Sequence, residues 1–231
     1  MSVSANLIDE LKAIIDEKHL LKHPFYKMWT AGTLPITVLQ KYAEQYYHLE
    51  KAFPTFLSGM HTQCDEFEVR QSITENLYDE EHGPENHQEL WLRFGESVGA
   101  TREAMQGAQK LPETQAAIDA FRQMSDASTI HGSAALAAYE SQIPAVANEK
   151  LYGLEKNYGI NDERGAKFFK VHGVLDVQHA DEWWQILDKH AVTSEDQDNA
   201  RQGVTVGRDA LWGFLDGIMR AYVSADMVCT N

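Results

Sequence analysis

The stretch HGVLDVQHADEWWQIL, residues 172–187, gives the clearest indication of the fold. Its apolar residues recur at the three- and four-residue spacing of an amphipathic helix, not at the two-residue spacing of a strand. The same stretch carries His172, Asp176 and His179, and steps of four and then three residues place them on one narrow face of an ideal helix. Histidines on a helix face are more often surface or core groups than ligands, so this segment alone leaves metal binding open.

Helical periodicity continues along most of the chain. A short helix is predicted from Pro24 to Thr30, and a longer one begins at Pro35 and should kink at Pro54. Further helical stretches are residues 66–97, 113–152 and 161–190, and a last helix that opens at the capping-box pattern Ser194-Glu-Asp-Gln197 and runs toward Tyr222. No segment shows sustained strand alternation. The sequence therefore predicts an all-α fold, a bundle of about seven or eight helices.

Length and composition narrow the class of protein. The 231 residues include 43% hydrophobic residues and no linker rich in glycine or proline, so we expect a single domain over residues 1–231. A net charge of −15 argues against a nucleic-acid partner and against binding to an anionic membrane. Two cysteines far apart in sequence, Cys64 and Cys229, make no disulfide framework, and we find neither a basic leader nor a long apolar run. We expect a soluble, cytoplasmic protein.

A second candidate segment, residues 77–91, reads LYDEEHGPENHQELW. Glu80 and His87 are seven residues apart and share one face of an ideal helix. Pro84 cannot donate a hydrogen bond to the carbonyl of Glu80, so the helix should distort beside that residue, as helices often do at functional sites. The neighbouring carboxylates fit a solvated acidic run: Asp79, Glu81 and Glu85. His82 is a weaker alternative ligand.

A third segment, SAALAAYESQIP at residues 133–144, supplies Glu140. The small apolar residues before Glu140 let helices approach closely, so we expect this carboxylate to point into the interior. A buried, unpaired carboxylate needs a cation nearby. The alternative is that Glu140 faces solvent at a helix end near Pro144.

Together the three segments supply three carboxylates and three imidazoles as candidate metal ligands: Glu80, His87, Glu140, His172, Asp176 and His179. Seven residues of helix span roughly 10 Å, which is long for one ion but suits two ions about 3.5–4 Å apart. Mixed carboxylate and imidazole ligands suit iron or manganese. We therefore predict a dimetal centre inside a helical bundle, with a ligand spacing that differs from the Glu-x-x-His pairs of ferritin-like proteins.

Across nearly the whole chain, the sequence resembles the CADD-like para-aminobenzoate synthases, the family of the Chlamydia protein associating with death domains. The resemblance rests on KHLLKHPFYKMW, YAEQYYHLEKAFPTFLSGMH, NLYDEEHGPENHQELW, YESQIPAVANEK and VHGVLDVQHADE. These synthases are haem-oxygenase-like dimetal oxidases, related to thiaminase-like and pyrroloquinoline-quinone-synthesis proteins. The resemblance implies a haem-oxygenase-like fold, the same six ligands, and either two iron ions or manganese with iron.

The resemblance also implies an unusual substrate. In the family the benzoate ring comes from a tyrosine of the protein itself, which matches Tyr26, and a lysine that matches Lys150 donates the amino group. Tyr42 and Tyr139 match tyrosines that relay electrons or radicals. On residue type alone, Tyr26 would be core packing and Lys150 a solvated charge. The implied reaction, a step in folate biosynthesis, uses O₂ and an external reductant and runs once or a few times per chain.

Three other functions fit the sequence less directly. The same ligands could serve a dimetal oxygenase that acts on an external small molecule such as an amine or a fatty acid. The protein could instead be a binding module for an unspecified protein partner, as the family's name implies. A thiaminase-like hydrolase would use Cys64 as its nucleophile, although no base pattern surrounds that residue. A homodimer is compatible with the sequence but is not specified by it.

Overall fold

The computed structural model describes residues 4–224, and over this range the chain is almost entirely helical. Eleven α-helices and one 3-10 turn, Leu20–Lys22, occur among these residues, and no strand does. The prediction of an all-α fold is therefore confirmed. Cys229 lies outside the described residues. The helices are α1 (Ser4–Glu17), α2 (Pro24–Ala31), α3 (Ile36–Gln63), α4 (Phe67–Glu81), α5 (His87–Ser97), α6 (Arg102–Gly107), α7 (Pro112–Ala127), α8 (Thr129–Glu140), α9 (Ile143–Tyr158), α10 (Glu163–His190) and α11 (Ser194–Tyr222).

The helices outnumber the expected seven or eight because short helices connect the long ones. Seven of the helices described have 14 residues or more. Helix α2 ends at Gly32, whose φ of 69° is in the left-handed region that favours glycine. Helix α11 begins with a capping box formed by Thr193 and Asp196, one residue earlier than the predicted pattern from Ser194. No helix of residues 4–224 combines the length and the apolar run that crossing a membrane requires.

The stretch 66–97 differs from the prediction of one distorted helix. Helix α4 ends at Glu81 and α5 begins at His87, so the helix is fully interrupted at Gly83 and Pro84. Gly83 has a φ of 79°, and Pro84 has no N–H with which to continue the helix. Asn86 then caps α5 by accepting a hydrogen bond from the Glu89 N–H at 3.0 Å. Glu80 and His87 therefore lie on two helices joined by a turn.

Close packing of α8 holds its last residue, Glu140, inside the bundle. Helix α8 packs against α7, α10 and α11. Where α11 crosses α8, a Cβ atom on Gly203 would lie 2.5 Å from the backbone oxygen of His131, and one on Gly207 would lie 2.7 Å from that of Ala135. Glycine is therefore needed at this crossing, because any side chain would push the two helices apart.

Candidate metal centre

Two groups of ligand-type side chains lie buried inside the bundle. Within each group, one ligand atom from each side chain lies within 4.8 Å of the others. Helices α3, α5 and α10 supply the first group, and α8 and α10 supply the second. The first group is Glu50, His87 and His172, and the second is Glu140, Asp176 and His179. Five of the six predicted ligands thus come together in two adjacent sets, and Glu50 joins them from a helix that the ligand prediction did not include.

Helix α10 contributes to both groups. His172 belongs to the first group, while Asp176 and His179, one and two turns further along, belong to the second. All three side chains are buried, with exposed fractions of 7%, 3% and 3%. The seven-residue span of this helix therefore reaches two separate sets of ligand atoms, which is the arrangement that two ions need and one ion does not.

Hydrogen bonds fix the orientation of two of the imidazoles. His172 Nδ1 lies 2.7 Å from the backbone oxygen of Phe168, and His179 Nε2 lies 3.2 Å from a carboxylate oxygen of Asp79. Both partners can only accept, so each of these two nitrogens donates a hydrogen bond, and the second nitrogen of each ring faces away from that partner. Burial keeps His172 neutral by lowering its pKa well below the ordinary value. A ring held in this way is oriented to bind a metal through its second nitrogen.

Several ligand atoms converge without bonding to one another. Glu80 Oε2 lies 2.9 Å from His87 Nδ1, yet that nitrogen finds no hydrogen-bond partner of suitable geometry among the described residues. His179 Nδ1 is also unpartnered within the described chain, although carboxylate oxygens of Glu140 and Asp176 lie 3.8 and 3.9 Å away. Buried polar atoms are almost always paired, so atoms that point at a common space fit a cation between them. The donor set suits transition-metal ions.

Glu140 is held in the interior, so the alternative in which it faces solvent is wrong. Its side chain is 2% exposed. One carboxylate oxygen accepts a hydrogen bond from Asn76 Nδ2 at 2.9 Å, and the other accepts one from the indole N–H of Trp183. Such partners orient a carboxylate for a metal while leaving lone pairs free to bind it.

Burial raises the pKa of the carboxylates in the two groups, and repulsion between neighbouring carboxylates adds to the effect. Burial, and then the charge of Glu80, raise the pKa of Glu50 to about 8. Burial also raises the pKa of Glu140 to about 7, although the charge of His179 opposes this shift. Burial raises the pKa of Asp176 well above the ordinary value, and the charges of Glu140 and Glu80 raise it further. Burial lowers the pKa of His87, but the Glu80 carboxylate outweighs it and raises the pKa to about 9. Bound cations would relieve this excess of negative charge.

Glu80 faces both groups of ligands. Its carboxylate touches His87 of the first group, and its charge raises the pKa of Glu140 and Asp176 in the second. The turn at Gly83 and Pro84 brings Glu80 and His87 together, so the two residues meet without sharing one helical face.

A small pocket beside the metal-ligand groups gathers the remaining predicted residues. It has a free volume of about 20 Å³, room for about one water molecule. Lys150 Nζ donates to the Tyr42 hydroxyl at 2.6 Å and lies 5.6 Å from the centre of the Tyr26 ring. The Tyr139 hydroxyl pairs with that of Tyr46, a residue that the sequence did not single out. The structure thus brings Tyr26, Tyr42, Tyr139 and Lys150 to one place.

Lys150 is not the solvated charge that its residue type alone indicates. Its side chain is 3% exposed. Burial lowers its pKa from 10.5 to about 7, although the Glu50 carboxylate partly opposes the change. A fraction of the amine is therefore neutral near pH 7, and a neutral amine is a nucleophile.

A second, larger cleft opens at the surface and reaches the metal-ligand groups from another side. It has a volume of about 640 Å³ and is lined by residues of α1, the α8–α9 turn and α10. Lys12, Asp16 and Trp184 lie along its walls, and the candidate ligand Asp176 contributes to its lining. The cleft is large enough to hold a small molecule next to the second group.

Comparisons with known proteins agree with this geometry. Residues 40–212 match the model of a family described as iron-containing redox enzymes. The chain belongs to this family. A 4-aminobenzoate synthase from Nitrosomonas europaea is 40% identical to it over 230 residues, which cover 95% of this chain and 93% of that one. A 4-aminobenzoate synthase from Chlamydia trachomatis is 37% identical, covering 95% of this chain and 94% of its own.

The fold agrees as well. A domain from Shewanella denitrificans described as having a haem-oxygenase-like fold superimposes with a TM-score of 0.78, over 94% of this chain and 92% of that one, at 19% identity. The expected resemblance to the para-aminobenzoate synthases and the expected haem-oxygenase-like fold are both confirmed. As a member of the iron-containing redox enzyme family, the protein is an oxidoreductase.

Proposed function

We propose that this oxidoreductase is an O₂-using enzyme that makes 4-aminobenzoate from its own Tyr26, with Lys150 as the nitrogen donor. The observation that carries the proposal is the buried pocket in which the Tyr26 ring and the Lys150 amine lie side by side. The names of the two relatives support the product. The shape of the side chain supports the substrate, because tyrosine and 4-aminobenzoate both carry one carbon para to a heteroatom.

The free volume of the pocket also favours an internal substrate. About 20 Å³ cannot admit a second aromatic molecule, whereas the Tyr26 ring already occupies the space beside Lys150. The pocket is closed by apolar residues such as Leu211 and Phe214, which exclude bulk water from the amine. Lys150 Nζ lies 5.6 Å from the ring centre of Tyr26, and the rings of Tyr42 and Tyr46 are 4.9 and 5.3 Å away, so water does not compete for the amine. Among these three phenols, the resemblance to the family selects Tyr26 as the ring that reacts.

The proposed metal ligands are the six side chains predicted from the sequence: Glu80, His87, Glu140, His172, Asp176 and His179. When bound, two iron ions, or one iron with one manganese, would supply the oxidising chemistry that uses O₂ and electrons from an external reductant. The imidazoles of His172 and His179 are held in the correct tautomer by Phe168 and Asp79. Tyr42 and the hydrogen-bonded pair of Tyr139 with Tyr46 would carry protons and electrons between this centre and the pocket.

The net reaction follows from comparing the chemical formula of the tyrosine side chain with that of 4-aminobenzoate. The Cα–Cβ bond of Tyr26 breaks, Cα gains a hydrogen to become glycine, and Cβ is oxidised to the carboxyl carbon. The Cε–N bond of Lys150 breaks, its nitrogen replaces the phenol oxygen, which leaves as water, and Cε is oxidised to an aldehyde. O₂ is the oxidant, and the external reductant supplies the remaining electrons. Because the chain itself is consumed, each chain acts once.

The test is to reconstitute the protein with Fe²⁺, a reductant and O₂, and then to measure 4-aminobenzoate together with the mass of the peptide that contains Tyr26. We expect at most one product per chain and a matching loss of the Tyr26 side chain. Tyr26→Phe should abolish the product, while Tyr152→Phe, at a half-exposed tyrosine of α9, should not change it. Product formation with Tyr26 intact would contradict the proposal.

The surface cleft favours a second candidate function, oxidation of an external small molecule. Its volume of about 640 Å³ and the presence of Asp176 in its lining would place such a substrate next to the second group. This function predicts many turnovers and no loss of Tyr26. Protein made with ring-labelled tyrosine separates the two functions, because label in the product requires the internal substrate.

A further inference from the structure

Glu50 has no structural role that explains its place in the interior. It lies on α3, its side chain is 4% exposed, and its Oε1 atom finds no hydrogen-bond partner among the described residues. No lysine or arginine of the described chain forms an ion pair with it. One of its carboxylate oxygens lies within 4.8 Å of a ring nitrogen of His87 and of another from His172. An unpaired buried carboxylate of this kind is costly unless a cation joins it.

The six predicted ligands divide unevenly between the two groups. The second group has Glu140, Asp176 and His179, but the first would have only the imidazoles of His87 and His172, with Glu80 facing both. Two imidazoles leave an ion with fewer protein ligands than usual and with no carboxylate of its own. Glu50 lies where the first group lacks a carboxylate.

We propose that Glu50 is a seventh protein ligand, bound to the ion that His87 and His172 hold. This inference rests on the proposed dimetal centre. With Glu50 included, each group would supply three ligands to its own ion, and Glu80 faces both groups. The four carboxylates then carry four negative charges, which balance the four positive charges of two divalent ions.

The position of Glu50 on α3 also connects the first ion to the tyrosine pocket. Glu50 comes one turn after Tyr46 and two turns after Tyr42, so the three side chains follow one another along one side of the helix. Tyr42 contacts Lys150, and Tyr46 bonds to Tyr139. A single helix therefore carries both a ligand of the first ion and the phenols nearest to the reacting groups.

The experiment is an anaerobic titration of metal-free protein with Fe²⁺, and separately with Mn²⁺, to obtain the number of bound ions and the affinity of each. Wild-type protein should bind two ions per chain. Glu50→Gln should keep one ion at the wild-type affinity and bind the other at least about tenfold more weakly. Glu44→Gln is the matched control, because Glu44 is also a mostly buried glutamate of α3 but pairs with Lys41. The paramagnetic resonance signal of coupled Mn²⁺ ions should be lost in Glu50→Gln and retained in Glu44→Gln.

His172→Ala separates this inference from the proposed centre. Suppose that wild type binds two ions and His172→Ala binds one. If Glu50→Gln then binds both ions within twofold of the wild-type affinity, Glu50 is not a ligand, although the proposed dimetal centre is still supported. If wild type itself does not bind two ions, both are wrong. Circular dichroism checks folding. If Glu50→Gln does not fold, Glu50→Asp replaces it, and an unchanged affinity for both ions in that variant overturns the inference.

Discussion

The buried amine of Lys150 should make the stability of the metal-free protein depend on pH in a way that one substitution removes. A pKa lowered from 10.5 to about 7 corresponds to about 5 kcal/mol of folding free energy. The unfolded chain binds this proton below pH 10.5, whereas the folded chain binds it only below about pH 7. The cost of burying Lys150 is therefore fully present at pH 7 and below, and it falls as pH rises toward 10.5.

Lys150→Met keeps the length of the side chain and removes the charge. The variant also removes the hydrogen bond that Lys150 donates to the Tyr42 hydroxyl, which costs about 1–3 kcal/mol. At pH 7 the variant should be more stable than wild type by about 2–4 kcal/mol, the difference between these two effects. Near pH 10 the cost of burying the Lys150 charge is almost gone. The variant should then be equal to wild type in stability, or less stable by about 1–2 kcal/mol.

Urea unfolding of metal-free protein between pH 6 and 10, followed by circular dichroism, measures this difference. Lys156→Met is the control, because Lys156 lies on the same helix and also donates to a tyrosine hydroxyl, that of Tyr152, but at the surface. That control should show only a small stability difference, because Lys156 lies at the surface. If the stability difference between Lys150→Met and wild type stays constant from pH 6 to 10, the lowered pKa of Lys150 is refuted.

Three further predictions concern the metal centre and the packing around it. Asp79→Asn should weaken binding of the ion at His179 by about 10–100-fold in a metal titration, because the carboxylate that orients the ring loses its charge; an unchanged affinity would show that the hydrogen bond is dispensable. Gly207→Ala should lower the free energy of unfolding by about 1–3 kcal/mol in urea, since its Cβ atom would meet the backbone of α8; Gly213→Ala on the same helix, with open space around it, should not lower it. Protein stripped of metal by a chelator should lose stability in thermal melts as pH rises from about 5 to 7. The reason is that Glu140, with a pKa raised to about 7, holds a proton in the folded state that the unfolded chain releases. Metal-loaded protein should not follow this trend.

The helices and most of the candidate ligands could be predicted because local sequence encodes them. The spacing of His172, Asp176 and His179 on one helix depends only on helical geometry, and the structure buries all three. The run of small residues before Glu140 similarly predicts close helix packing, and α8 is indeed buried by its neighbours. These features need no knowledge of how distant segments meet.

Other features depend on tertiary contacts that no local pattern reveals. Asp79 looks like one of several solvated carboxylates, and its contact with His179 crosses a hundred residues of sequence. Glu50 lies in a stretch rich in polar residues, and the one signal available was its one-turn spacing from Tyr46. Glu80 and His87 do converge, but through a break in the helix and not through the shared face that their spacing indicated.

The filled pocket around Tyr26 has a consequence for the protein after it has reacted. On the proposed route, loss of the ring leaves glycine within α2 and a void where a fully packed side chain had been. Emptying an aromatic site in a core costs about 3–5 kcal/mol, and glycine inside a helix adds about 1 kcal/mol. Against a typical folding free energy of about 5–15 kcal/mol, the spent chain keeps a much smaller margin. Proteases act on the unfolded fraction, so the chemistry that yields the product would also mark the exhausted protein for removal.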